Sequence, residues 1–177
     1  MKNRDIPVYA VFNFLYIVIA SFAARLFSNL AVKIVDLFVE LDFFGASIVR
    51  VITLFGFSIA LIVLFAYKGG YREARFDKVE CVVSASAASL LHFLLGMPFA
   101  YSPWFFGATR HFAGFLAFGG NYNDNSRIEE IPFGTLVAVA LITAVLTVAG
   151  ITLANYVGFR RRLSDRQALT GNENSET

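Results

Sequence analysis

The chain has 177 residues, 57% of them hydrophobic and 16% charged, with a formal net charge of +2 and a single cysteine. That much apolar surface exceeds what a soluble core of this length can cover, so lipid has to cover the excess. The small net charge, with basic residues set beside apolar stretches rather than in a patch with stacking aromatics, excludes a nucleic-acid partner, and a lone Cys81 excludes an intramolecular disulfide or a thiolate metal cluster.

The first apolar stretch, 6–24, has about the 20 residues that a helix needs to cross a hydrocarbon layer of about 30 Å. Lys2 and Arg4 ahead of it, and Ala20, Ala23 and Ala24 at its end, imitate a secretory leader. The run is longer than a leader's core of roughly 7–15 residues. Tyr9, Asn13 and Tyr16 also recur along one helical face, as in a helix that packs on neighbours, so 6–24 reads as an uncleaved first span. In 25–42, Asn29, Lys33, Asp36 and Glu40 share one face while Leu26, Leu30, Ile34, Leu37 and Leu41 share another, which predicts an amphipathic helix on the outer surface.

The second predicted span, 43–67, carries Arg50 near its start. The apolar run remaining after it spans roughly 25 Å of helix, so Arg50 sits in the outer part of the layer. It reads there as a snorkelling side chain or an ion pair with Asp42 or an outer-loop acid, against the functional reading of an intramembrane binding or relay residue. A basic connection, Lys68 to Lys78, leads to the third span, 79–98. Ser84 to Ser89 give that span a face of small side chains, and His92 lies about two turns before Pro98, at a depth like that of Arg50.

The aromatic segment 102–118 is long enough to imitate a further crossing. Arg110 and His111 in its middle oppose this, since an arginine costs roughly 3 kcal/mol at the bilayer centre. Ser102 and Pro103 supply a helix start, Gly119 and Gly120 a stop, and Trp104, Phe105, Phe112, Phe115 and Phe118 suit headgroup depth, so an interfacial or re-entrant helix is predicted. The fourth span, 132–159, bears a seam of Thr143, Thr147, Gly150, Ala154 and Gly158, which serves packing within the bundle, a second copy or a partner subunit. Arg160, Arg161, Arg162 and Arg166 follow, and the polar segment 170–177 predicts a disordered cytoplasmic tail.

The fold expected is thus an all-α integral membrane protein, one transmembrane domain over 1–169, built as a four-helix bundle with two outer interfacial helices. With four spans, Lys2, Arg4, the Lys68–Lys78 segment and the Arg160–Arg166 cluster fall on one side, which predicts cytoplasmic termini at the plasma membrane and contacts from those clusters to anionic lipids. A weak echo suggests a 2+2 internal repeat. Gly70, Tyr71, Arg72 and Asp77 are spaced like Gly158, Phe159, Arg160 and Asp165, and Ala23, Arg25 and Phe27 like Ala108, Arg110 and Phe112. The second match pairs the end of one span with a segment beyond another.

Functional candidates are few. Arg50 and His92 lie at one depth, and a helix folded over them would add Arg110 and His111 to an outward-facing pocket suited to an anion, a lipid headgroup or a carboxylate. The structural alternative gives His92 a backbone carbonyl or serine partner within the bundle. No Gly-x-Ser-x-Gly, His-Glu-x-x-His or phosphate-loop pattern occurs, so no catalytic residue, metal or cofactor is assigned. The expected role is a non-enzymatic, transport-related or accessory membrane component. The alternatives are an enzyme acting on a lipid or peptide at the outer leaflet and a structural scaffold.

Overall fold

A computed structural model describes residues 6–73, 76–96, 107–119 and 130–173. They form five helices: α1 (Ile6–Val39), α2 (Phe43–Arg72), α3 (Lys78–Gly96), α4 (Gly107–Phe118) and α5 (Phe133–Glu173). Four of them, all but α4, are long and apolar enough to cross a membrane. The molecule is an all-helical bundle with α1 and α3 running in one direction and α2 and α5 returning. One end holds the start of α1, the α2–α3 connection and the end of α5; the other holds the α1–α2 turn and α4.

The surface is what lipid requires. Leu37, Phe38, Ile52, Val79, Leu90, Val145 and Leu153 are exposed large apolar side chains, whereas the core is built from small residues. Ile17 and Ala20 of α1, Ile62 and Ala66 of α2, Ala85 and Ala88 of α3, and Ile151 and Ala154 of α5 form one buried cluster. Lipid gives helices no hydrophobic drive toward each other, so alanine and glycine, which let backbones approach, supply the association through close packing.

The closest approach joins α2 and α5, the pair in most extensive contact. A Cβ on Gly70 would run into the backbone of Asn155, and one on Gly158 into the backbone of Tyr67. Each glycine therefore meets the residue three before the other. The seam Gly150, Ala154, Gly158 is occupied within the chain, Gly150 lying 3.6 Å (to an added Cβ) from Val63 Cγ2. The first half of the repeat echo corresponds to this reciprocal crossing.

Caps fix the turns. Asp36 Oδ1 accepts from the Leu41 amide at 2.9 Å, closing the end of α1, while Glu40 takes a left-handed φ of 45°. Asp42 then caps α2 by accepting from the Gly45 amide at 2.7 Å. Asp77 Oδ1 does the same for α3, accepting from Val79 at 2.8 Å and Glu80 at 3.3 Å. At the end of α2, Arg162 of α5 donates through Nη1 to the carbonyl of Arg72 at 2.8 Å and to that of Glu73, so the arginine following the fourth span closes the second one.

Three sequence expectations change. The separate outer helix over 25–42 is absent: α1 runs unbroken from Ile6 to Val39. Nothing between Ala23 and Leu26 breaks a helix, and the buried stripe Asn13, Ile17, Ala20, Ala24 continues one turn on to Ser28, so packing carries the helix past the expected break. The second interfacial segment is also not an outer-surface helix over the part described. α4 begins at Gly107 and packs against α5, α2 and α1, with Thr109, Arg110, His111 and Ala113 buried. Its expected start at Ser102 and Pro103 lies outside the described residues. α5 continues through Glu173 and takes in the beginning of the expected tail, whereas 174–177 lie outside the described residues.

Candidate functional site

Where α4 enters the bundle, all five helices enclose a chamber of about 60 Å³. α1 contributes Ser21, α2 Phe55 and Ser58, α3 Ser89 and His92, α4 Ala108 and Thr109, and α5 Thr143 and Thr147. Among the described residues its walls carry seven hydrogen-bonding side chains and no carboxylate. Two hydroxyls are committed in the manner usual for helices, Ser21 donating to the Ile17 carbonyl and Thr143 to the Val139 carbonyl, both at 2.8 Å. Ser58 Oγ and Ser89 Oγ are not: both are buried without a hydrogen-bond partner.

Next to the chamber, toward the α1–α2 turn, lies a buried cluster of two arginines and a histidine. Arg25 is one turn beyond Ser21 on α1, and Arg110 and His111 follow Thr109 on α4. Arg25 is 8% exposed, Arg110 2% and His111 3%. Arg25 Nη1 is hydrogen-bonded to His111 Nε2. A guanidinium only donates, so His111 Nε2 is the acceptor in this bond.

The four residues singled out from sequence are thus divided. His92 lines the chamber, and Arg110 and His111 sit beside it. Arg50 is not among the chamber walls; its carbonyl accepts from Ser28 Oγ at 3.3 Å and from Thr53 Oγ1 at 3.2 Å, nearer the turn. Arg25, which was read as part of an outer surface helix, takes the place beside His111 that a shared pocket would have given to Arg50.

At the opposite end a second, larger pocket of about 260 Å³ opens among α1, α2, α3 and α5. Tyr9 donates to Glu73 Oε2 at 2.7 Å, and Asn13 Nδ2 to Ser84 Oγ at 3.3 Å. Asn155 donates to the Ile151 carbonyl at 3.0 Å and to Cys81 Sγ at 3.6 Å. Glu73, Asp77 and the buried Glu80 make this vestibule rich in carboxylates, with Arg72 among them. The sequence signal for it was the Tyr9, Asn13, Tyr16 stripe, which was read only as a packing face.

The two pockets lie in series. On α2, Ala66 falls between Ile62 of the chamber and Gly69 of the vestibule; on α3, Ala85 and Ala88 fall between Ser84 of the vestibule and Ser89 of the chamber. On α5, Ile151 and Ala154 separate Thr147 from Asn155. The buried core cluster is therefore a septum: the two linings lie seven positions apart on α2, five on α3 and eight on α5, and adjoin at Tyr16 and Ile17 on α1. Among the described residues no group of histidine, cysteine and acidic side chains could hold a metal ion. Comparison with protein families, with curated proteins and with solved structures returns no match.

Proposed function

We propose that this chain is a small plasma-membrane component, its termini cytoplasmic, that passes a small solute between its two pockets without chemical change. The observation that carries the reading is the series arrangement: two pockets on one bundle axis, each with polar side chains in its lining, separated by a core cluster of alanine and isoleucine. A purely structural bundle has no need of polar pockets on both sides of its core, because each buried polar group costs free energy unless it is bonded. An apolar constriction between hydrated cavities is a common way to gate a path. Orientation rests on the basic residues: Lys68, Arg72, Lys78 and the Arg160–Arg162 cluster gather at the vestibule end. Catalysis finds no support in the site, since His111 spends its accepting nitrogen on Arg25 and does not line the chamber with His92.

The test is reconstitution in vesicles with solutes of one size and three charges: formamide, methylammonium and formate. Passage of at least one, faster than through protein-free vesicles, is expected. In a Cys81→Ser background, Asn13→Cys should react with an impermeant thiol reagent from the cytoplasmic face and Ser21→Cys from the outer face. No accelerated solute, together with both cysteines reacting from one face only, would sink the reading.

A further inference from the structure

Ser58 and Ser89 do something unusual for buried serines in helices. A helical serine normally returns its proton to the carbonyl one turn back, as Ser21 does. Ser58 and Ser89, 9% and 7% exposed, do not, and both line the same chamber from different helices. Leaving a buried hydroxyl unbonded costs its full desolvation, so two of them facing one cavity are best accounted for by a ligand that bonds them.

The chemistry of the walls limits what that ligand is. Among the described residues a cation finds no carboxylate in the chamber, and it meets Arg25 and Arg110 buried beside it. An anion finds hydroxyls and His92 but no guanidinium among the described wall residues, so its loss of hydration is poorly compensated. A neutral molecule with a donor and an acceptor matches the serines and the Thr109, Thr143 and Thr147 hydroxyls without any charge to desolvate. At about 60 Å³, the space holds a few waters or one small organic molecule.

We infer that the chamber is a selectivity site for small uncharged hydrogen-bonding molecules, water and short amides or alcohols, held by Ser58 and Ser89. This deepens the passage reading and rests on it for the direction of travel, whereas the occupancy of the chamber is tested separately. Arg25 and Arg110, buried beside the chamber, act as the flank that turns cations away, as an arginine does in neutral-solute pores.

The experiment uses the full-length protein in vesicles, with Ser58→Cys and Ser89→Cys made singly in the Cys81→Ser background. Three reagents that differ in charge are compared: neutral methyl methanethiosulfonate, its cationic aminoethyl analogue and its anionic sulfonatoethyl analogue. Thiols react as thiolates, so reaction reports a hydrated chamber as well as access to it. Both cysteines should react with the neutral reagent at least about tenfold faster than with either charged one, the cationic reagent being turned away by the arginines beside the chamber and the anionic one by its poorly compensated loss of hydration. Asn13→Cys in the vestibule should accept the cationic reagent, and the lipid-facing Ser86→Cys none. Silence at both positions with every reagent, or cationic or anionic labelling that matches the neutral rate, overturns the inference. Formamide passage with silent chamber cysteines removes the selectivity site and leaves the passage reading standing; reactive chamber cysteines with no solute passage do the reverse.

Discussion

At Gly70 and Gly158 a single methyl group decides whether two helices can touch. Each added Cβ would meet backbone, which cannot swing aside as a side chain would. Gly158→Ala and Gly70→Ala should therefore each cost at least the 1–3 kcal/mol typical of overpacking, read as a fall in the melting temperature in detergent. Gly56→Ala and Gly134→Ala, with open space around the new methyl, should be neutral or raise stability by about 0.5–1 kcal/mol. A second residue-scale prediction concerns the Arg25–His111 bond: His111→Ala should cost about 1.5–3 kcal/mol, as expected for a buried hydrogen bond to a charged group, and His111→Gln should recover part of it. If His111→Ala melted like the parent protein, the bond would be irrelevant to the fold. The sequence disclosed His92, Arg110 and His111 because ionisable side chains stand out in apolar surroundings. It did not disclose Ser58 or Ser89, because a helical serine announces nothing about whether its hydroxyl turns back on its own helix. Arg25 was misplaced because its face was judged from the polar stripe that follows it, while Ala24 and Ser28 bury the face it shares.

Among the elements, α1 departs most from expectation. Spans were legible from length and apolarity, but helix ends were not: α2 reaches Arg72, five residues beyond the expected end, and α5 reaches Glu173. A hydrocarbon layer limits how much apolar sequence a span needs, and places no limit on how far the helix continues into water or headgroups. α1, 34 residues long, covers about 51 Å and so must tilt or project beyond a layer of about 30 Å. Its second half packs along α2, with the rings of Phe27 and Phe57 stacked at 4.7 Å. Phe27→Cys with Phe57→Cys, in the Cys81→Ser background, should cross-link on oxidation. A surface helix splayed outward from Arg25 would leave that pair unlinked. Leu30→Pro should then disturb the whole bundle rather than a local segment, at a cost of about 3 kcal/mol or more.

For the molecule as a whole, the septum is the feature on which the proposed passage depends. Ile151 lies fully buried within it, between the chamber and the vestibule. Ile151→Ala should thin the barrier and raise the passage of formamide about tenfold or more, while costing about 2–5 kcal/mol of stability. Unchanged passage in a folded variant would place the barrier elsewhere. A further consequence follows from the crossing of α2 and α5. Since Gly70 meets Asn155 as Gly158 meets Tyr67, neither helix is marked as first or second at the contact, and chain order is not needed to specify it. A cell that made residues 1–75 and 76–177 as two separate polypeptides should therefore still assemble them side by side in one membrane.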